Sequence, residues 1–146
     1  PCLEADDVLG ILATANAIKG DKIIVSIDKD LKSIPGAHYN MKHPEDGVFE
    51  VSTEEADKWH MIQTLTGDAT DGYVGCPGIG AKTAEKLLAE AETYTYEHMW
   101  PIVVEAYAKK GLSEEEALTM ARVARILRKE DYDFKKRQVI PWQPNR

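Results

Sequence analysis

The chain has 146 residues, 43% of them hydrophobic, and a formal net charge of −7. That length is one domain or a large piece of one, with enough apolar content for a core, and the acidic balance argues against a generic DNA-coating surface. No apolar run reaches the length of a membrane span and no secretory signal is visible, while two distant cysteines do not make a disulfide framework. Cys2 and Cys76 are therefore expected to be free thiols in a reducing, cytoplasmic compartment. The charge is uneven: residues 1–100 carry 8 Lys/Arg against 18 Asp/Glu, and 101–146 carry 10 against 7.

Glu4-Ala5-Asp6-Asp7 leads into a helical stretch to Ile18, with Leu9, Leu12 and Ala13 as an apolar stripe and Gly20 as the stop. Acids in a first turn favour the helix dipole, but three in four positions exceed what a cap needs. Lys22 to Ile27 is a short β-branched run, read as a buried strand, and it ends in Asp28-Lys29-Asp30. Carboxylates at the carboxyl end of a strand are where α/β sheets hold their sites; an Asp-rich turn is the plainer alternative. Leu31 to Ile34 reads as one helical turn. Residues 38–41 and 47–51 read as two short strands around the Pro44-Glu45-Asp46-Gly47 turn. His38, His43, His60 and His98 lack ligand-like spacing and read as surface or packing residues.

Ser52 with Glu55 makes a capping box for a helix whose stripe is Ala56, Trp59, Ile62 and Leu65. A Gly-rich turn follows, then a helix over 81–92 with Ala84, Leu87 and Leu88 inward. Residues 94–110 read as a further helix, interrupted or restarted at Pro101. Ser113 with Glu116 caps a helix expected to run through Arg128, with Leu118, Ala121, Ala124 and Leu127 inward. Arg122, Arg125, Arg128 and Lys129 then make its other side basic, a face that is usually solvated but can follow a phosphate backbone. The tail from Phe134 is basic and then extended, and Trp142 is expected to cap a hydrophobic edge.

The chemistry concentrates between Gly67 and Ala84. Asp68 and Asp71 stand three apart, so on a helical turn they point the same way. Converging carboxylates suit Mg²⁺ or Mn²⁺. Pro77-Gly78-Ile79-Gly80-Ala81-Lys82-Thr83-Ala84 reads as a tight turn opening a helix, with Gly78 and Gly80 allowing positive φ and close backbone approach. Unpaired N–H groups at that helix start, with Lys82 beside them, suit an anion. A metal site and a phosphate cradle this close suggest a polyphosphate chain as substrate. Glu4, Asp6, Asp7, Asp28, Asp30, Asp68 and Asp71 are the candidate metal-binding and catalytic acids. They equal the entire acidic excess of the chain, so bound divalent cations would reverse much of its charge.

These stretches, in this order, resemble the 5′-nuclease superfamily of flap endonucleases and 5′–3′ exonucleases. The segment Ala121-Arg122-Val123-Ala124-Arg125-Ile126-Leu127-Arg128 and the Pro141-Trp142 ending look most like the exonucleases of short-tailed bacteriophages. The resemblance implies an α/β fold: a partial parallel sheet of a PIN-like nuclease core over 1–66, then a helix–three-turn–helix DNA-binding and helical region over 67–146. It implies that Glu4 and Asp6, with Asp7, hold a first metal, that Asp28 and Asp30 lie between the metals, and that Asp68 and Asp71 hold a second. Gly75, Gly78, Gly80, Lys82 and Thr83 would hold duplex DNA by its backbone, with K⁺ bound at the turn. The implied activity is two-metal hydrolysis of phosphodiester bonds at 5′ ends or flaps of duplex DNA, as in DNA replication. The alternative is a non-catalytic DNA-binding module that keeps only the hairpin.

The family pattern includes an N-terminal portion that the chain lacks. It looks like the C-terminal half of such an enzyme, expected to leave a sheet face uncovered, to be weakly active alone, and to associate with an N-terminal partner. A compact monomer with full Mg²⁺-dependent activity would overturn that expectation. No membrane partner is expected.

Overall fold

The computed structural model describes residues 3–146, so the expectation for Cys2 lies outside the described residues. The fold is mixed α/β, a three-stranded sheet followed by several helices. Contacts divide the chain into two compact units, one made of residues up to 56 with 126–141, the other of 57–125 with 142–146.

In the first unit, α1 (Ala5–Thr14) precedes β1 (Ile23–Ser26), a three-ten turn (Lys29–Ser33), β2 (Gly36–Asn40), a second three-ten turn (Pro44–Asp46) and β3 (Val48–Val51). The strand order is β1-β2-β3. β1 pairs with β2 in parallel and β2 with β3 antiparallel, so the sheet is mixed rather than parallel. The physical reason is the connection: the seven residues 41–47 between the strands are too few for a crossover, so β3 must run back along β2. One face of the sheet is covered. There Ile24 packs with Leu31 and Ile34, joined by Ala13 and Ile126, and buried His38 stacks on Phe49 while donating from Nε2 to the Ile34 carbonyl at 2.8 Å. The other face holds Ile23, Val25 and Val48 at 49%, 53% and 55% exposure. α1 buries Gly10 and Ile11, whereas Leu9, read as part of its stripe, is exposed. A Cβ on Gly10 would overlap the Leu127 carbonyl oxygen, so glycine lets residues 126–127 lie directly on the helix.

The second unit holds α3 (Ala81–Leu88), α4 (Tyr96–Ala108), α5 (Glu114–Ala124) and all of α2 (Thr53–Thr66) beyond Ala56. Its core gathers Met61, Leu65, Leu88, Met99, Val103 and Tyr107, each fully buried. Each such side chain contributes about 1.5–3 kcal/mol by leaving water. Both capping boxes form: Ser52 N–H reaches Glu55 at 2.8 Å, and Ser113 N–H reaches Glu116 at 2.7 Å. α4 runs unbroken through Pro101. The ring deprives only the Glu97 carbonyl of its helical donor, and both residues are exposed, where water can replace that donor.

α5 stops at Ala124 rather than at Arg128, and Arg125 is extended (ψ 115°). Beyond it, side chains replace the helical acceptors. Leu127 N–H donates to Asp7 at 3.1 Å, Arg128 N–H to Asp131 at 2.9 Å and Lys129 N–H to Thr14 at 2.8 Å. The expected basic helix face therefore does not exist. Arg125 is buried and donates to the Tyr96 hydroxyl at 2.8 Å. Arg128 is buried and donates from Nε and Nη2 to the Ser33 carbonyl.

The C-terminal Trp142 is 3% exposed and lies edge-on to His60, Tyr96 and Trp100 with centroids 4.9–5.4 Å away. His60 is saturated within this cluster, its Nε2 at 2.7 Å from the Ala121 carbonyl and its Nδ1 at 2.8 Å from the Tyr96 hydroxyl. It is a packing histidine. After α5 the first unit is completed by a three-ten turn (Lys129–Asp131) and a two-stranded hairpin of β4 (Tyr132–Asp133) and β5 (Gln138–Val139). Among the described residues no helix is long and apolar enough to cross a membrane.

Candidate metal and nucleic-acid site

Within the first unit the candidate acids fall in two groups. Asp28 and Asp30 follow β1 directly. Ser26 Oγ accepts the Asp28 N–H at 3.0 Å, and Asp28 Oδ1 accepts the Asp30 N–H at 2.9 Å, capping the three-ten turn. These local bonds turn the chain sharply at the strand end and hold Asp28 exposed and Asp30 half-buried there. Asp28 also lines a small recess with Ser26, Lys29, His38 and Asn40.

Glu4, Asp6 and Asp7 open α1. Asp7 is spent structurally: Oδ2 accepts the Glu4 N–H at 3.3 Å and Oδ1 accepts the Leu127 N–H at 3.1 Å. Among the described residues, Glu4, Asp6 and Asp7 enter no set of three ligand atoms within 4.8 Å of one another. Such a set is formed by the exposed His43, Glu45 and Asp46 on the β2–β3 connection, where the sequence predicts only a turn.

In the second unit, Asp68 and Asp71 lie on a tight loop and not on a helix. Asp68 pairs with Tyr73 through two backbone bonds of 2.9 and 3.1 Å, and Asp68 Oδ1 accepts the N–H groups of Thr70 and Asp71 at 2.8 and 3.1 Å. That arrangement folds Asp71 back over Asp68, so their carboxylate oxygens come within 4.8 Å. Asp68 Oδ2 and both Asp71 oxygens have no hydrogen-bond donor among the described residues. The loop is closed at its neck by Gly67 and Gly75, both at φ +67°; a Cβ on either would collide with the backbone of the other arm. Two hard carboxylates with open oxygens, on one half-exposed and one exposed residue, fit Mg²⁺ or Mn²⁺ in their donor chemistry.

The turn into α3 follows. Gly78 has φ +76°, as the tight turn requires. Gly80 does not use its freedom: it is the α3 N-cap at φ −92°, ψ 177°. It offers no side chain to the helix, and a Cβ there would meet open space. The first α3 amides, at Ala81, Lys82 and Thr83, precede the first helical bond, Ala84 N–H to the Gly80 carbonyl. Lys82 and Thr83 are exposed.

Sequence reasoning missed Lys110. Its Nζ stands 3.5 Å from the position of a Gly78 Cβ. The same charge is felt by Cys76: burial pushes that thiol up, and Lys110 partly opposes the shift. The only hint in the sequence is a second lysine before Gly111 at the end of α4, and nothing local ties it to residue 78. Beneath the turn, Cys76 donates weakly to the Ala106 carbonyl and Tyr107 donates to the Thr64 carbonyl at 2.6 Å. Burial, with Cys76 and Tyr73 beside it, pushes the Tyr107 phenol well above its ordinary range.

The chain is 31% identical over 172 aligned residues to an exodeoxyribonuclease of Enterobacteria phage T3 and to an exonuclease of Escherichia phage T7. Those matches take in 99% of this chain but only 56% and 57% of the two phage proteins, so it spans little more than half their length. A thermostable DNA polymerase I of Thermus aquaticus is 38% identical over 97 residues, which is 62% of this chain and 12% of the polymerase. No protein-family model matches the chain. It is homologous to phage exonucleases along nearly its whole length. It belongs to the 5′-nuclease family.

Proposed function

We propose that the chain forms the metal-binding and DNA-gripping part of a 5′–3′ exonuclease or flap endonuclease that hydrolyses phosphodiester bonds at 5′ ends or flaps of duplex DNA. The observation that carries this reading is the pair of open carboxylates at Asp68 and Asp71, a few residues before the turn into α3, in a chain 99% of which aligns with part of two phage exonucleases. The acids Asp28, Asp30, Asp68 and Asp71 would hold two Mg²⁺ or Mn²⁺ ions. Glu4 and Asp6 would contribute beside them, while Asp7, whose oxygens already accept two amides, would position α1. When bound, the ions would neutralise charge on the phosphoryl oxygens and ease deprotonation of the attacking water.

The chain's own residues do the rest. The α3 amides, with the positive end of the helix dipole behind them, donate to a phosphate of the duplex. Lys82, Thr83 and Lys110 hold neighbouring backbone oxygens, and the turn from Gly75 to Gly80 lets the duplex approach as a helix–three-turn–helix element whose carbonyls would hold K⁺. Such contacts read no bases, so binding is sequence-tolerant and salt-sensitive. In functional terms residues 1–66 then carry the core acids of a PIN-like nuclease and 67–146 the DNA-binding region. The uncovered sheet face with Ile23, Val25 and Val48 would receive the polypeptide corresponding to the part of the phage proteins that this chain does not match.

The test is cleavage of a 5′-labelled duplex and a 5′-flap substrate with Mg²⁺, with Mn²⁺ and with EDTA, by the chain alone and with that remaining phage segment added in trans. Metal-dependent release of 5′ products, lost in Asp68→Asn/Asp71→Asn, is expected. Asn keeps the amide-accepting oxygen of Asp68, so the loop survives the change. Cleavage that is indifferent to EDTA or to the double substitution would refute the reading.

A further inference from the structure

The β4–β5 hairpin carries an exposed aromatic ring and three consecutive cations that neither the core nor the acids use. Phe134, Lys135, Lys136 and Arg137 form its tip, all exposed. Asp133 Oδ1 accepts the N–H groups of Lys135 and Lys136 at 2.9 and 3.0 Å, so the tip has a defined shape. Phe134 is 50% exposed and stands perpendicular to the Tyr132 ring with centroids 5.3 Å apart, so much of its apolar ring stays in water. Arg137 sits at φ +55°, the sole non-glycine residue with positive φ among the described residues. Glycine would take that position without strain, whereas arginine is disfavoured there. None of the three cations makes an ion pair among the described residues, although the chain is acidic overall. A solvated charge run needs neither the exposed ring nor the arginine at positive φ.

We infer that this hairpin binds single-stranded nucleic acid, with Phe134 stacking on a base and Lys135, Lys136 and Arg137 neutralising its phosphates. An aromatic face accepts any base, and cations beside it track the backbone, so the contact is sequence-tolerant and salt-dependent. The inference rests on the DNA substrate proposed above and adds a second contact to it: the duplex is held by the α3 turn, the unpaired strand by the hairpin tip.

Fluorescence anisotropy separates the two. The probes are a blunt duplex, the same duplex with a single-stranded 5′ extension, a free single strand, and that strand with abasic positions. The variants are Phe134→Ala and Lys135→Gln/Lys136→Gln/Arg137→Gly, all at exposed positions, the last substitution relieving the positive φ. Phe134→Ala is expected to weaken binding of the single strand and the extended duplex about tenfold, the size of one base–aromatic stack, with no change for the blunt duplex. Abasic positions should weaken the parent chain to the same degree and leave Phe134→Ala unaffected. The triple variant should lower the slope of log affinity against log salt by about 2 on the single strand. A parent chain that ignores single strands, or variants that bind them as the parent does, would overturn the inference. Loss of blunt-duplex binding in Lys82→Ala, or its absence in the parent, bears on the duplex grip alone, because the free-strand arm reads the hairpin independently.

Discussion

Gly75→Ala tests whether the loop carrying Asp68 and Asp71 is held by backbone contact at its neck. Gly75 has φ +67° and Gly72 has φ +76°, so alanine at either meets the same left-handed penalty, about 1–2 kcal/mol. Their surroundings differ. A Cβ at Gly72 meets nothing within 4 Å, whereas at Gly75 it would lie 2.7 Å from the Leu65 oxygen and the Thr66 carbonyl carbon and closer still to the Gly67 nitrogen. Those are backbone atoms and cannot rotate away, so overpacking adds about 1–3 kcal/mol. Gly75→Ala should therefore cost about 2–5 kcal/mol and Gly72→Ala about 1–2. At roughly 2–4 °C per kcal/mol for a chain of this size, the melting temperature should fall on the order of 10 °C for the first and about 5 °C for the second. Scanning calorimetry gives both values, and Mn²⁺ titration of the two variants shows whether neck opening also separates the carboxylates. Equal melting temperatures for the two variants would refute the reasoning.

Gly10→Ala should destabilise the first unit by about 1–3 kcal/mol in urea unfolding, although alanine is the better helix former, because its Cβ meets the Leu127 carbonyl. Gly80→Ala meets open space but replaces the better N-cap of the two, and should cost about 0.5–1 kcal/mol in the same measurement. Stability should fall as pH rises above about 8.5, because the unfolded chain then releases the Cys76 proton, and above about 10 that of Tyr107, while the fold retains both. Both folded-state pKa values are raised, so the loss lies on the alkaline side; a flat melting profile from pH 8 to about 10.5 would contradict this, and Cys76→Ala/Tyr107→Phe should flatten it. Lys82→Ala and Lys110→Ala should each lower the salt slope of duplex binding by about 0.9, one phosphate contact apiece, and an unchanged slope would remove that lysine from the interface.

Much of the fold was legible because its signals are local. Ser52 with Glu55 and Ser113 with Glu116 are three residues apart, and the strand of β1 is a continuous β-branched run. Asp28 caps the turn two residues on, so the strand-end acids could be seen together with their scaffold. What failed to show depends on partners far along the chain. α5 stops early because the donors of Leu127 and Lys129 are taken by Asp7 and Thr14, more than a hundred residues away. The burial of Arg125 and Arg128 has the same origin: Tyr96 and Ser33 supply the oxygens that make a buried guanidinium tolerable. Pro101 misled because its cost depends on whether the orphaned carbonyl is wet, which composition does not say. The Asp68–Asp71 spacing suggested the right proximity for the wrong local reason, since a capped loop and not a helical turn brings them together. Lys110 reaches the Gly78 turn only through the packing of α4.

The most direct measurement is titration of the chain with Mn²⁺, followed by the loss of the free-ion electron paramagnetic resonance signal, for the parent and for Asp68→Asn/Asp71→Asn. It reads these carboxylates without DNA and without any second polypeptide. Saturable Mn²⁺ binding that Mg²⁺ displaces and that the double substitution weakens at least about tenfold, a loss of some 1.4 kcal/mol, is the predicted result. Binding by the double variant equal to that of the parent would contradict a metal centre at these two aspartates.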